Sequence, residues 1–193
     1  MVSFMPACSR RDFLLRAAAG LAALAFAPAA RAEGIQLAQA EITLKGELFQ
    51  LSGHFDIQLS PTLENALMRG VQLTFVQAFE AQRERDFWLA EDLIELERNI
   101  RVSYNALLRQ YYVTLSGVST SHETLQDALR AVGDLRDWAV LNVKQMKKKS
   151  QYTFFVRMYL DISQLPKPLQ VNALASSTRW QLDSGWQEKE VKY

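Results

Sequence analysis

The stretch VQLTFVQAFEAQRERDFW, residues 71–88, fits either a strand or a helix, and the choice between them shapes the prediction for the whole chain. Its first five residues alternate between apolar side chains, at Val71, Leu73 and Phe75, and polar ones. Successive side chains of a strand point to opposite faces, so this period of two predicts a strand. The later residues are mixed, and we interpret the whole stretch as one long strand that ends near Trp88.

Further strands are predicted on both sides of this stretch. Upstream, apolar and polar residues alternate in two short segments, 42–48 and 55–59. Ser52-Gly53 lies between them, which predicts two strands that form a hairpin. Downstream, residues 93–99 and 101–116 predict two more strands, because the second segment is rich in aromatic and β-branched residues.

The last third of the chain holds three more segments with strand character. Residues 138–143 and 152–162 predict a second hairpin, which turns at the basic stretch Lys147–Ser150. A final strand is predicted through Trp180 and Leu182.

Three helices are predicted from caps and apolar spacing. Ser60-Pro61 supplies an N-cap followed by proline at the first helical position, and predicts a helix over residues 62–69. Residues 124–132 place four apolar side chains on one helical face, and Gly133 is expected to end that helix. A third, short helix is predicted over residues 169–175.

The predicted order of elements is β-β-α-β-β-β-α-β-β-α-β. The connections between neighbouring strands are short, and short connections favour antiparallel pairing. We therefore predict an α+β domain, in which two or three helices cover a curved, mostly antiparallel sheet of about seven to eight strands.

The first 32 residues are predicted to be an export signal. The motif SRRDFLL, residues 9–15, precedes an apolar run at residues 17–30 and matches the twin-arginine pattern. That run is shorter than the roughly 20 residues that a helix needs to cross a bilayer, so we expect a cleaved signal rather than an anchor. An ordinary secretory signal is the alternative. The expected motif residues are Arg10, Arg11, Phe13 and Leu14, and the expected cleavage site is formed by Ala30 and Ala32.

Residues 33–193 are therefore expected to form one exported, periplasmic domain. Of the 22 basic and 21 acidic residues, the predicted signal holds four arginines and one aspartate, which leaves a net charge of about −2. A domain with this charge lacks the excess of lysine and arginine that is typical of proteins that bind nucleic acid. The one cysteine, Cys8, belongs to the predicted signal, so no disulfide and no thiolate metal ligand are expected.

Motifs for catalysis and metal binding are missing from the sequence. His54 and His122 stand far apart, and there is no nucleophile elbow and no glycine loop of the kind that cradles phosphate. We interpret the acidic run at residues 91–97 as a solvated strand face, with a calcium site as the alternative. We therefore predict no catalytic residue, no metal ligand, no cofactor and no enzymatic activity.

Aromatic residues suggest where a partner could bind. Most large aromatics belong to a core, but some could line one side of the sheet together with Arg109 or Arg157. Such a surface would form an amphipathic groove for a peptide or a small ligand. The residues predicted for an interaction surface are Trp88, Arg109, Asp161 and Trp186.

Several spaced motifs resemble one known family. They are YNALLRQY at residues 104–111, TL and AL within residues 124–129, LD at 160–161, LPxPLQV at 165–171 and WxLxSxW at 180–186. In this order they resemble the proteobacterial family called domain of unknown function 4390, over about residues 40–186. Where that family shows an arginine-rich stretch that ends in paired tryptophans, this chain has Arg83, Arg85 and Phe87-Trp88, so one aromatic differs.

The resemblance implies a small exported protein without an established activity. Members of the family are often encoded beside a two-component sensor kinase of the nitrogen-regulation type, which implies a link to envelope signalling. We therefore favour a non-enzymatic periplasmic accessory domain that binds an envelope protein, such as the outward-facing part of that sensor. A small-ligand carrier with an apolar pocket in the curved sheet is the first alternative. A hydrolase that uses Glu95, Glu97 or Asp161 is the second.

Overall fold

The computed structural model describes residues 34–84, 91–147, 150–175 and 180–192. The predicted export signal lies outside these residues, and so does Trp88. The described residues all belong to one compact unit, Glu33–Tyr193. None of the helices in the described parts of the chain is long and apolar enough to cross a membrane.

The described residues form nine strands and three α-helices, which confirms the predicted α+β class. In chain order these are β1 (Gly34–Lys45), β2 (Leu48–Gln58), α1 (Pro61–Met68), β3 (Leu73–Arg83), β4 (Glu91–Asn105), β5 (Gln110–Leu115), β6 (Val118–His122), α2 (Leu125–Gly133), β7 (Asp134–Asn142), β8 (Gln151–Leu160), α3 (Lys167–Ala175) and β9 (Gln187–Lys192). The strands divide into two sheets, in the orders β1-β2-β7 and β6-β5-β4-β3-β8-β9. Every pair of neighbouring strands is antiparallel.

β3 is a central strand of the six-stranded sheet and is buried on both faces. Phe75 and Phe79 belong to the hydrophobic core, whereas Val76 and Ala78 point to the opposite face and are also buried. The alternation at the start of this strand therefore predicted the right structure. β3 ends at Arg83, and the predicted end near Trp88 falls outside the described residues.

The core lies between the two sheets and is rich in aromatic contacts. The ring of Phe49 in β2 lies 6.2 Å from that of Phe154 in β8, and Phe79 lies 6.4 Å from Trp138 in β7. Each phenylalanine buried in this way contributes on the order of 1.5–3 kcal/mol to the stability of the fold. These contacts hold the inner face of the six-stranded sheet against the three-stranded sheet.

The helices begin where their caps predict. The Ser60 hydroxyl accepts a hydrogen bond from the amide of Leu63 at 3.3 Å, and Pro61 is the first residue of α1. The Thr124 hydroxyl accepts one from the amide of Asp127 at 3.1 Å and caps α2. Each such cap contributes about 1 kcal/mol, because an amide at the start of a helix has no partner within the helix.

The first hairpin forms, but its turn is not at Ser52-Gly53. β1 and β2 turn at Gly46, whose φ of 65° is a conformation that favours glycine. Gly53 lies inside β2 and pairs with Ala40. A side chain there would place its Cβ 2.2 Å from the carbonyl oxygen of Gln39, so this glycine permits close strand contact rather than a turn.

The predicted boundary between strands at residues 93–99 and 101–116 is wrong. β4 continues through Ile100, which is buried and paired with Phe75. The chain turns instead after Asn105, whose side-chain oxygen accepts hydrogen bonds from the amides of Leu107 at 3.0 Å and Leu108 at 3.1 Å. This turn leads into β5 and then β6.

The predicted hairpin of residues 138–143 and 152–162 is also wrong. β7 pairs with β2, whereas β8 pairs with β3 and β9 in the other sheet. A 3₁₀ turn with a capping box at Asn142 and Gln145 ends β7, and the chain then crosses between the sheets. The last strand differs too, because Trp180 and Leu182 are buried core residues and β9 begins only at Gln187.

Gly133, the last residue of α2, lies against the backbone of the three-stranded sheet. A Cβ atom there would lie 2.0 Å from the carbonyl oxygen of Phe55 in β2. The glycine is therefore required because backbone meets backbone, and not only because a helix ends.

We predict that Gly133→Ala lowers the free energy of unfolding by about 3 kcal/mol or more, because neither backbone can move aside without repacking the core. Gly46→Ala is the matched control, since a Cβ at that position meets nothing within 4 Å and only the positive φ is unfavourable, at about 1 kcal/mol. Urea unfolding measures both variants. Equal losses would show that the contact with Phe55 is not tight.

Candidate functional site

The outer face of the six-stranded sheet, which points away from the core, carries the main cluster of polar and aromatic side chains. It is defined by Val76, Ala78 and Glu80 of β3, Glu95 and Glu97 of β4, and Arg157 and Tyr159 of β8. The register brings these residues side by side, because Ala78 pairs with both Glu97 and Arg157, and Glu80 pairs with Glu95. Residues two apart on one strand share a face, so the cluster follows from the alternation of three neighbouring strands.

A hydrogen bond crosses the central strand of this face. The Tyr159 hydroxyl, from β8, donates to a carboxylate oxygen of Glu97, from β4, at 3.0 Å. The two side chains reach over β3, where Val76 and Ala78 are only 3% and 2% exposed. Small side chains on β3 therefore leave room for the long side chains of its neighbours to meet.

Arg157 is held between an acid and two aromatic rings. Its Nε donates to Asp183 Oδ1 at 2.9 Å, and its Nη2 donates to the other carboxylate oxygen. Its guanidinium carbon lies 4.9 Å from the centre of the Tyr159 ring and 5.6 Å from that of Trp186. This two-point pairing with ring contacts fixes the orientation of a side chain that is otherwise flexible.

The segment after Leu182 positions two of the three residues that contact Arg157, namely Asp183 and Trp186. The Ser184 amide donates to the Met158 carbonyl at 2.9 Å, and the Met158 amide donates to the Ser184 hydroxyl at 2.9 Å. The Gly185 amide donates to Asp183 at 2.9 Å, in a turn that gives Gly185 a φ of 64°. Trp186 is thereby brought beside Arg157, with 39% of its surface exposed.

These contacts shift the pKa values of the cluster. The hydrogen bond from Arg157 lowers the pKa of Asp183, and the same bond raises the pKa of Arg157. Burial, followed by the hydrogen bond to Glu97, raises the pKa of Tyr159. Arg157 and Asp183 are thus a charged pair near neutral pH, and Tyr159 is a neutral hydrogen-bond donor.

An acidic pocket adjoins this cluster. Between Ala81 and Gln82 of β3 the pairing skips Leu93 of β4, and a space of about 340 Å³ lies at this bulge, lined by residues 80–82 and 92–95. Burial raises the pKa of Glu80, and repulsion by Glu95 and Asp92 raises it further. A carboxylate in this position can hold a proton or attract a cation.

Within the described residues, no group of three histidine, cysteine, aspartate or glutamate side chains is arranged to hold a metal ion. His54 lies in the three-stranded sheet, where its Nδ1 is 2.9 Å from a carboxylate oxygen of Asp134 and its Nε2 is 3.5 Å from Asp56. His122, in β6, contacts the Thr120 hydroxyl at 3.0 Å. The two histidines therefore belong to different sheets.

The structure brings together some of the residues predicted for an interaction surface. Trp186 joins the Arg157 cluster, and Asp161 lies close enough for its charge to raise the pKa of Tyr159. Asp161 also accepts a hydrogen bond from the Ser163 amide at 2.9 Å, so it has a structural role. Arg109 lies in the turn between β4 and β5, beyond the end of β4 and about 20 Å from this cluster along the strands.

The sequence interpretation missed Asp183 and the pairing of Glu97 with Tyr159. Arg157 was considered with the aromatics, but no local pattern ties it to a residue 26 positions later. The spacing of Arg157 and Tyr159 at i and i+2 was the available signal, since it places both on one strand face. Glu97 was considered as part of a solvated strand face, as a calcium ligand and as a catalytic carboxylate, but not as a partner of Tyr159.

A second arginine and aromatic pair lies between the sheets and is structural. The Arg98 guanidinium carbon is 4.4 Å from the centre of the Trp138 ring, and its Nε donates to the Gln77 side chain at 2.7 Å. Gln77 in turn donates to the carbonyl of Val132 in α2 at 2.9 Å. Among the described residues, no carboxylate pairs with Arg98, and burial lowers its pKa to about 10.

One family model matches residues 32–190, and its description is Domain of unknown function (DUF4390). The match covers most of the 193 residues, so the chain belongs to this family. No curated protein and no solved structure matches the chain.

We predict that Arg157→Gln raises the pKa of Asp183, because the charged partner that favours the carboxylate is removed. An NMR titration of the side-chain carboxyl carbon measures this directly. In the native protein, the stability that this carboxylate contributes is present above about pH 4 and is lost as the pH falls through its lowered pKa. Arg136→Gln, in the other sheet, is the control and leaves the pKa of Asp183 unchanged. An unchanged pKa in Arg157→Gln would contradict the pairing.

We predict that Arg98→Met keeps or raises the free energy of unfolding, because it removes a desolvated charge that has no carboxylate partner. Gln77→Leu is expected to lower it by about 2 kcal/mol, since Val132 and Arg98 would lose a buried partner. Relative to Arg98→Met, the native protein should gain stability as the pH rises above about 10, the lowered pKa of Arg98, because the desolvated guanidinium then loses its charge. Urea unfolding at several pH values checks both statements. A loss above about 2 kcal/mol in Arg98→Met would show that the charge is compensated.

Proposed function

We propose that this member of the DUF4390 family is an exported accessory protein that binds a protein partner on the outer face of its six-stranded sheet. The observation that carries the proposal is the fixed arrangement of Arg157, Tyr159 and Trp186 on that face. Tryptophan, tyrosine and arginine are the side chains most enriched among residues that dominate binding energies.

The contacts of Arg157 support a binding role because they reduce the entropic cost of association. A long side chain that becomes ordered in an interface costs about 0.5–1.5 kcal/mol. Arg157 is already ordered by two hydrogen bonds to Asp183 and by the two rings. Trp186 is 39% exposed, so it presents an apolar surface beside the ordered charge.

The place of action is part of the same proposal. The predicted signal with Arg10 and Arg11 directs the protein to the periplasm, where the partner is an envelope protein. The implied link to a two-component sensor kinase makes the outward-facing region of such a sensor the first partner to test.

The pocket beside the cluster favours this role over the two alternatives. A carrier for an apolar ligand needs a mainly apolar cavity, whereas Glu80, Asp92 and Glu95 line this one. Of the three carboxylates considered for a hydrolase, only Glu95 lines this pocket, whereas Glu97 accepts the hydrogen bond from Tyr159 and Asp161 accepts one from the Ser163 amide.

Site-specific photo-crosslinking in cells that make the protein naturally tests this function. A photoreactive residue replaces Glu188, an exposed residue of β9 that pairs with Phe155 of β8. We predict a specific adduct with one envelope protein. Trp186→Ala should reduce that adduct at least tenfold, a loss of about 1.4 kcal/mol or more, because it removes the exposed ring.

The control position is Leu107, which is 95% exposed in the turn between β4 and β5, close to Arg109. Crosslinking from position 107 should not yield the same adduct. Circular dichroism of Trp186→Ala confirms that the fold is kept. An adduct from position 107 alone, or the absence of any adduct at position 188, would overturn the proposed binding face.

A further inference from the structure

The outer face has many more acidic than basic groups. Glu80, Glu95 and Glu97 stand on adjacent strands, and Asp92 pairs with Gln82 at the next position of the same face. The positive charge of Arg157 is already matched by Asp183. Arg101 of β4 carries a positive charge at the end of the face beyond Tyr159, and Lys192 of β9 pairs with Gln151 near the opposite end of β8.

The acidic side chains are placed so that they repel one another. Glu80 and Glu95 are directly opposite in neighbouring antiparallel strands, where like charges destabilise a sheet. Glu97 is two residues from Glu95 and therefore lies on the same face. A positively charged partner would relieve this repulsion, and an acidic one would increase it.

The shape of the face suits an extended segment of a partner. Tyr159 pairs with Val76 and Asp92 pairs with Gln82, so the face extends over seven residues of β3, which are six steps along the strand. At about 3.3 Å per residue this length is about 20 Å, which an extended peptide of about six residues spans. The pocket of about 340 Å³ at Glu80 lies at the acidic end, and Trp186 lies at the aromatic end.

We propose that the partner contributes an extended, lysine- or arginine-rich segment, which lies along the outer face with cationic side chains on Glu97, Glu95 and Asp92 and one of them in the pocket beside Glu80. This inference rests on the function proposed above. Long cationic side chains fit both ends of the face, because their stems pack on apolar surface while their charged groups meet carboxylates. Residues at every second position of such a segment point to the same side, as Glu95 and Glu97 of β4 do.

The other possible occupants of the outer face, a second copy of this chain and an acidic segment, match its charge less well. A second copy of this chain would present a domain without net positive charge, because removal of the predicted signal leaves a net charge of about −2. An acidic segment would meet direct repulsion from Glu80, Glu95 and Glu97. A basic segment is therefore the occupant that charge complementarity favours.

Selection from a displayed library of random ten-residue peptides on the purified protein tests the inference without knowledge of the partner. We expect the selected peptides to be enriched in lysine and arginine at alternate positions. A labelled peptide from that selection, compared with a version in which glutamine replaces each cationic residue, is then titrated by fluorescence anisotropy. The cationic peptide should bind at least tenfold more tightly, and its affinity should fall as salt is added.

Matched variants locate the binding surface. Glu80→Gln with Glu95→Gln should weaken binding of the cationic peptide at least tenfold. Glu41→Gln with Glu123→Gln removes the same number of charges from exposed positions outside the outer face and should change the affinity less than twofold. Equal losses in the two double variants would show a general charge effect and would overturn the inference.

The remaining outcomes separate this inference from the proposed function. Selected peptides that are neutral or acidic, or a dimer of the native protein that Glu80→Gln with Glu95→Gln abolishes, would overturn the basic-segment inference. If position 188 still yields a Trp186-dependent adduct in that case, the proposed function stands. If basic peptides bind as expected but no adduct forms in cells, the inferred chemistry of the face stands and the proposed function fails.

Discussion

The burial of β3 on both faces is the constraint on which the rest of the structure depends. On one side, Phe75 and Phe79 fill the space between the two sheets. On the other side, Val76 and Ala78 are buried although, in the described parts of the chain, no second sheet covers that face. A central strand can be buried in this way only if side chains from its neighbours cover it, and this requirement produces the outer face.

The outer face thus follows from a difference in side-chain size between adjacent strands. β3 carries small residues where β4 and β8 carry Glu97, Arg157 and Tyr159. The long side chains of β4 and β8 meet above the small side chains of β3, where the Tyr159 hydroxyl donates a hydrogen bond to Glu97. The same packing orders Arg157 without burying it, which is why a structural feature is also suited to binding.

Local signals in the sequence predicted the elements that depend on neighbouring residues. Ser60 and Thr124 marked the starts of two helices because a cap acts within three residues of its helix. The alternation from Val71 to Phe75 predicted β3 for a similar reason. Trp186 was predicted for the interaction surface from its aromatic character alone, and Arg109 was placed there without any signal for its distance from the cluster.

Features that depend on contacts distant in sequence could not be predicted. β7 and β8 both have strand patterns, and no local sequence pattern indicates that they belong to different sheets. Gly53 and Gly133 were interpreted as turn and stop signals, although each is required by a backbone far away in sequence. Asp183 was missed because its role depends on Arg157, which it meets only after the chain folds back between the end of β8 and the bridge of Asp183 with Tyr159.

Mapping of amide chemical shifts by NMR, with a basic peptide added to the purified protein, tests the central claim most directly. The claim is that the outer face of the six-stranded sheet is the binding surface. We predict that the largest changes fall on Glu80, Glu95, Glu97 and Tyr159 and on the indole of Trp186, while β1 and β7 stay unchanged. Changes centred on the three-stranded sheet or on the turn at Leu107 would contradict this account.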